Sequence, residues 1–236
     1  MPKYKAILFD MDGTLVPMDM KKFISGYFHA LCKKLAPYKV EPDRIVDAVW
    51  KGVASMVKSD GSRTNAENFW DTFYTCIPEV DNSVEASCLD FYSNEFNDIK
   101  SLTLPNPHAR EIVELARSKA EYVVLATNPQ FPMVGQLTRL SWVDLKSDDF
   151  DLVTSYETDN FCKPNPLYFD SICKRLNVKP SECLMVGNDE DEDMYAASSI
   201  GMDCFLVTDT MIPSKEHPWN GACGSMEELI NMLREL

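Results

Sequence analysis

Apolar residues along the chain follow two patterns: short runs, and longer stretches where they recur every three or four positions. The short runs have the length and composition of buried strands in a parallel sheet. They are Ala6–Phe9, Tyr122–Ala126, Asp151–Thr154, Cys183–Val186 and Cys204–Val207. Helical patterns lie between or after the later runs, at 106–119, 132–140, 165–176, 193–200 and 226–233. This alternation predicts an α/β fold with a parallel sheet and helices on both faces.

A long helical segment separates the first run from the others. Between about residues 19 and 99 the apolar spacing is helical, with Asp19 as a helix cap, Pro42 at a first helical position, a Thr64-x-x-Glu67 capping box and Ser83 opening a fourth helix. We therefore predict a discontinuous core, residues 1–16 and 105–236, and a helical insert, residues 17–104. Because the insert leaves at the end of a strand, we expect it to cover the cleft there as a cap.

Composition narrows the class of protein. The 236 residues carry a formal net charge of −14, which makes nucleic acid and anionic membranes unfavourable partners. The eight cysteines form no Cys-x-x-Cys pair, so we expect buried, reduced thiols in a cytoplasmic protein. Neither a signal peptide nor a membrane-spanning segment is predicted.

Two carboxylates follow the first strand. Side chains alternate along an extended segment, so Asp10 and Asp12 lean the same way. Because two carboxylates in one small volume repel each other, a divalent cation is the usual compensation. The alternative is a surface turn, since Asp and Gly both favour turns.

Polar side chains also follow the later strands. They are Thr127 and Asn128, then Lys163, then Asp189 and Asp193. Each has a plain alternative, as a strand end, a solvated lysine or an acidic helix start, and we expect the intervening residues 190–192 to face water or the helix dipole. Ligands bind at the carboxyl ends of strands in such sheets, so the four positions together favour a site.

These residues resemble the motifs of the haloacid dehalogenase-like hydrolases. The matching segments are Asp10-Met-Asp12-Gly-Thr14, Thr127-Asn128, Lys163-Pro164 and Val186-Gly-Asn-Asp189-x-x-x-Asp193-x-x-Ala196-Ala197-x-x-x-Gly201-Met202. The order is that of the family, and the first and last segments are the specific ones. The resemblance implies a Rossmann-like three-layer core, an inserted α-helical cap and magnesium-dependent phosphoryl transfer through an aspartyl-phosphate.

The resemblance also implies roles for individual residues. Asp10 would be the nucleophile and Asp12 the general acid and base. Mg²⁺ would be held by Asp10, the main-chain carbonyl of Asp12, and Asp189, although Asn188 before that acid departs from many relatives. The phosphate would be held by Asp10, Gly13, Thr127, Asn128 and Lys163, with Thr14 and Asp193 in support.

The leading prediction is a phosphatase, a monomer or weak homodimer, that acts on a small phosphorylated metabolite. The alternatives are a phosphomutase, which the Pro17-Met18-Asp19 segment weakens, a dehalogenase, which the second aspartate weakens, and a non-catalytic phospho-ligand-binding protein. The insert offers side chains for substrate contacts, and its helical pattern does not choose among them: Tyr27, Trp50, Lys51, Arg63 and Trp70.

Overall fold

The computed structural model describes residues 3–236 and contains one parallel sheet of six strands. The strands are β1 Ala6–Phe9, β2 Tyr122–Leu125, β3 Leu152–Val153, β4 Cys183–Gly187, β5 Asp203–Val207 and β6 Cys223–Gly224. Their order is β3-β2-β1-β4-β5-β6, so β1 lies between β2 and β4 at the centre of the sheet. The predicted α/β fold is confirmed. β6 was not predicted, because Cys223 and Gly224 lie among small and polar residues and form no apolar run.

Helices cover both faces of this sheet. They are α1 Met20–Leu35, α2 Pro42–Val57, α3 Asn65–Cys76, α4 Ser83–Ser93, α5 Ala109–Lys119, α6 Met133–Ser141, α7 Pro166–Leu176, α8 Ala196–Ser198 and α9 Met226–Glu235. Short 3-10 turns occupy Ala36–Tyr38, Glu95–Leu102, Ser147–Asp149 and Pro180–Glu182, and a π-helical turn occupies Glu190–Tyr195. None of the helices within residues 3–236 has the length and apolar character needed to cross a lipid bilayer.

Two helix starts differ from the sequence predictions. The Asn106 side chain accepts a hydrogen bond from the His108 amide at 3.0 Å and donates one to the Leu15 carbonyl at 2.9 Å. Asn106 therefore closes a turn, and α5 begins only at Ala109. The helix predicted from Asp193 instead begins at Glu190, as the π-helical turn.

The helical insert leaves and rejoins the core at one place. Met18 forms an antiparallel bridge with Thr103, and the Leu104 amide donates to the Pro17 carbonyl at 2.8 Å. Residues 17–104 contribute no strand to the sheet. We propose the predicted boundaries, near residues 17 and 104, as the limits of the insert.

Alternate residues of β1 pack into two different apolar clusters. Ile7 and Phe9 belong to a cluster that continues into the insert through Phe23 and Phe96. Ala6 and Leu8 point to the opposite face of the sheet, against α7. Because one cluster includes side chains of both core and insert, the helices of the insert are held directly above the carboxyl end of β1.

Candidate active site

The loop after β1 is shaped by hydrogen bonds that leave one carbonyl available. The amides of Thr14 and Val16 both donate to the Met11 carbonyl, at 3.2 and 2.8 Å. The neighbouring carbonyl of Asp12 is thereby left for another ligand. Both predicted carboxylates, Asp10 and Asp12, line the same cavity.

Gly13 has a structural reason to be glycine. Its φ is +91°, and a Cβ at this position would clash with the Asn188 side chain. Its amide donates to the Val16 carbonyl at 2.8 Å, and its carbonyl accepts from the Thr210 hydroxyl. The predicted phosphate contact of Gly13 is therefore not supported, because both of its backbone groups are already hydrogen-bonded.

Lys163 lies fully buried between two carboxylates. Its Nζ is 2.8 Å from Asp10 Oδ1 and 2.6 Å from Asp193 Oδ1. Burial alone would lower the pKa of Lys163, but the two carboxylates outweigh burial and raise that pKa well above its ordinary value. Lys163 thus provides a permanent positive charge beside Asp10.

Asp193 connects this lysine to the loop after β4. Its second oxygen accepts the amides of Asn188 and Asp189, each at 3.1 Å. Burial raises the pKa of Asp193 to about 7, and the Lys163 ammonium opposes that shift. Both oxygens of Asp193 are therefore hydrogen-bonded within the protein, and they hold Lys163 and the loop after β4 in position.

Asn188 explains how this chain tolerates a residue between Gly187 and the first acid. Its side chain accepts from the Thr14 hydroxyl at 3.1 Å and donates to the Thr210 carbonyl at 2.8 Å. Asn188 thereby ties together the loops after β1, β4 and β5. Thr14 is thereby held, fully buried, against the loop after β4.

Two carboxylates at the cavity each retain an oxygen for another ligand. Lys163 binds Asp10 through Oδ1, and the amides of Asp191 and Glu192 bind Asp189 through Oδ1 at 2.8 Å. Burial, and to a lesser extent the Asp10 carboxylate, raises the pKa of Asp189. A cation between the two acids would relieve this repulsion.

The donor set fits Mg²⁺. Within residues 3–236, no group of three or more His, Cys, Asp or Glu side chains could hold a metal ion. Mg²⁺ does not need one, because it typically takes one or two carboxylates and fills its other positions with water and substrate phosphate. The side chains of Asp10 and Asp189, with the Asp12 carbonyl, provide such a set.

Thr127 and Asn128 both line the cavity at the end of β2. The Thr127 carbonyl accepts from Thr154 and Tyr168, at 2.7 and 2.8 Å, which fixes the strand end and leaves the Thr127 hydroxyl at the cavity. The Asn128 side-chain amide donates to Glu192 at 2.9 Å. That amide group is therefore engaged by the protein.

The acidic run 190–192 lies in the first turn of the π-helical turn, as the helix-dipole alternative predicts, but only one of its three residues faces water. Glu190 is buried and accepts the amides of Ser214 and Trp219, at 2.6 and 3.0 Å. Glu192 lines the cavity, and burial raises its pKa to about 8. Asp191 alone is outside, where it pairs with His217 at 2.9 Å.

Arg139 is the site residue that sequence reasoning missed. It is fully buried on α6, and its guanidinium is paired with the Asp12 carboxylate and with the Gln136 side chain. Its guanidinium carbon lies 4.2 Å from the centre of the Phe131 ring. Arg139 follows no motif, so only the contact with Asp12 identifies it.

The cavity measures about 300 Å³ and lies between the strand ends and the insert. The core lines one end with the carboxylates, Thr127 and Asn128. Of the candidates offered by the insert, Tyr27, Trp50 and Trp70 line the other end. Lys51 and Arg63 do not, because they form exposed ion pairs with neighbouring aspartates.

Comparison with known proteins identifies a family and relatives that this chain resembles. A model described as haloacid dehalogenase-like hydrolase matches residues 4–201. The chain is 30% identical over 219 residues to ribulose-1,5-bisphosphate 5-phosphatase of Halopiger xanaduensis, covering 89% of this chain and 86% of that protein. It is 26% identical over 207 residues to glyceraldehyde 3-phosphate phosphatase of Pyrococcus furiosus, covering 86% and 80%.

Solved structures share the fold. A HAD phosphatase from Thermococcus onnurineus superposes with a TM-score of 0.59 at 22% identity, covering 97% of both chains. At that identity the likeness concerns the architecture alone, and it includes the helical insert because the match runs over nearly the whole length.

Proposed function

The chain belongs to the haloacid dehalogenase-like hydrolases, and from this membership we propose that it is a magnesium-dependent phosphatase that hydrolyses a phosphate monoester through an aspartyl-phosphate on Asp10. The observation that carries the proposal is the contact of Asp10 with the buried ammonium of Lys163, 2.8 Å away, beside a second carboxylate. Relatives named as phosphatases support the same reaction.

In the first step, an oxygen of Asp10 attacks phosphorus and the bond from phosphorus to the ester oxygen breaks. The Lys163 ammonium, 2.8 Å from Asp10 Oδ1, holds the nucleophile in place for this attack. The leaving oxygen takes a proton from the carboxyl group of Asp12. Burial raises the pKa of Asp12, which favours the protonated form that this step needs, while Arg139 opposes the shift.

In the second step, water attacks the phosphorus of the aspartyl-phosphate. Asp12, now ionised, takes the proton from that water, and the bond between phosphorus and Asp10 breaks to release inorganic phosphate. Asp12 Oδ1 is buried and has no hydrogen-bond partner within the described residues. That oxygen is the position from which the proton is given and later accepted.

The transferred phosphoryl group needs donors for its other oxygens. We assign this role to Thr127, which lines the cavity with Asn128 beside it, and to the Lys163 ammonium, which lies 2.8 Å from Asp10. Mg²⁺, held by Asp10, Asp189 and the Asp12 carbonyl, would neutralise charge on the phosphate. The helical insert then acts as the cap that excludes bulk water.

Hydrolysis of p-nitrophenyl phosphate, with and without a chelator, tests the proposal. We expect magnesium-dependent release of phosphate, and in Asp12→Asn an accumulated phosphoryl group on the peptide that contains Asp10, detected by mass spectrometry. Asp189→Asn should weaken the magnesium dependence, whereas Asp191→Asn, outside the cavity, should not. Undiminished turnover by Asp10→Asn would overturn the nucleophile assignment.

A further inference from the structure

The two ends of the cavity differ in chemistry. The core end carries carboxylates and hydrogen-bonding groups, whereas every residue of the insert (17–104) that lines the cavity is uncharged. Most of these are aliphatic or aromatic, such as Phe28, Leu31, Val49, Val53 and Phe69. A substrate with its phosphate at the strand ends must place the rest of its structure against this wall.

The few hydroxyl groups near that wall are already hydrogen-bonded within the protein. The hydroxyls of Tyr27 and Tyr92 lie 2.7 Å apart and bond to each other. The Tyr156 hydroxyl accepts from the Trp70 indole at 3.3 Å. One O–H donor of the tyrosine pair and that of Tyr156 remain, so this end offers a ligand few hydrogen bonds and no charged partner.

We propose that the substrate is a monophosphate ester whose non-phosphate part is apolar, an alkyl chain or an aromatic ring without a second charged group. This inference rests on the proposed phosphatase function and defines its substrate class. A polyol or a carboxylate in this position would lose its water without replacement partners, which is unfavourable. An apolar group would gain from burial against the same side chains.

The volume limits the size of that group. About 300 Å³ is at the small end of ligand pockets, so a single ring or a short chain fits better than a long lipid. The substrate class differs from the substrates in the names of the two phosphatase relatives, which are polar sugar and triose phosphates. Within this chain the insert would supply that selectivity, because the strand-end residues act only on the phosphate.

The test compares esters of saturated alcohols, so that the leaving groups have similar intrinsic reactivity. We expect kcat/KM with Mg²⁺ to be about 10- to 100-fold higher for n-hexyl phosphate than for glycerol 1-phosphate. The ratio of n-hexyl phosphate to phosphoglycolate should be at least as large. Equal or higher values for the two polar esters would overturn the substrate class while leaving the phosphatase intact. If p-nitrophenyl phosphate and all three esters resist hydrolysis, both proposals fail.

A matched pair of variants on α2 locates the effect. Val53 lines the cavity, whereas Val57, one turn later, is exposed and does not. Val53→Asn should lower kcat/KM for n-hexyl phosphate by about 10-fold and leave methyl phosphate unchanged, and Val57→Asn should change neither. Equal effects of the two variants, with melting temperatures showing that both are folded, would contradict the proposal. If Val53→Asn does not fold, the comparison of esters on the unaltered protein decides the substrate class.

Discussion

Two buried cations accompany the two aspartates of the β1 loop, and their surroundings differ. Lys163 lies between two carboxylates, Asp10 and Asp193, with Nζ–Oδ1 distances of 2.8 and 2.6 Å. Arg139 has one carboxylate, Asp12, together with the neutral Gln136 side chain and the face of Phe131. Lys163 is thus surrounded by more negative charge than it neutralises, whereas Arg139 is not.

The difference matches the two roles proposed for the aspartates. A nucleophile must remain ionised throughout, and a cation in direct contact favours the ionised form. A general acid and base must change its charge during each cycle. In Asp12 burial raises the pKa and Arg139 lowers it, so that neither charge state is fixed.

The largest effect is expected from Asp10→Asn. This substitution removes the nucleophile, and turnover of p-nitrophenyl phosphate should fall by about 10⁴-fold or more. Lys163 keeps Asp193 as its partner, so circular dichroism should show an unchanged fold.

Asp19→Asn is the matched control. Asp19 caps α1 outside the cavity, and its loss should leave kcat unchanged. If both variants lost activity equally, the effect of Asp10→Asn would not be specific to the site.

The next effect concerns the lysine. Lys163→Met should reduce kcat/KM by about 10²- to 10³-fold, because a charge-stabilising donor is removed. Steady-state hydrolysis of p-nitrophenyl phosphate at saturating Mg²⁺ measures this loss.

Lys174→Met, an exposed lysine on α7, is the control and should behave as the unaltered enzyme. An unchanged kcat/KM in Lys163→Met would contradict the assignment of Lys163 as a charge-stabilising donor beside Asp10.

A smaller effect is expected from Arg139→Met. Arg139 does not line the cavity, so its loss should lower kcat/KM by only about 10-fold, through Asp12. Burial of Asp12 is then opposed only by the weaker effect of Lys163, so the pKa of Asp12 rises and the basic limb of the pH profile should move to higher pH. Stability should fall by about 1–3 kcal/mol, since the partly exposed Asp12 loses its partner.

A double-mutant cycle with Asp12→Asn separates positioning from general destabilisation. We expect a coupling energy of about 1 kcal/mol or more between the two substitutions. Strict additivity would show that Arg139 does not act through Asp12. Arg110→Met, an exposed arginine on α5, provides the matched control.

The smallest expected effect tests the comparison between the surroundings of Lys163 and Arg139. Gln136→Glu would give Arg139 a second carboxylate, as Lys163 has, and would remove the Gln136 amide nitrogen, which is buried without a partner within the described residues. We expect a stability gain of about 1 kcal/mol, or ~2–4 °C in Tm, by differential scanning calorimetry. A lower Tm would show that desolvating another carboxylate outweighs the new charge-assisted hydrogen bond.

The two cations also differ in how far the sequence predicts them. Lys163 belongs to a motif, Lys163-Pro164, in the expected order after the third strand. Arg139 is 127 positions from Asp12 along the chain, on a helix whose pattern indicates only which face is apolar. A charged residue at a buried position of such a helix does not reveal its partner until the helix is packed.

The acidic run after β4 shows the same limit on what the sequence can predict. Its spacing identifies Asp189 and Asp193, but the pattern alone suggests solvent for the acids between them. In the structure Glu190 is buried by loop amides and Glu192 by Asn128, contacts that come from distant segments. Local charge patterns cannot indicate such partners, because folding alone brings the N–H groups that donate to these carboxylates from distant parts of the chain.

The sequence by itself determined the parallel sheet, the presence of helices between its first two strands and the residues at the strand ends, including Asp10 and Asp12. These features depend on periodicity and on short motifs, which are local properties of a chain. Only the tertiary structure decided that Arg139 pairs with Asp12 and that the insert presents an uncharged wall to the cavity. Those features depend on which faces of separate helices meet, and hydrophobic burial, being non-directional, does not specify that from the pattern of one helix alone.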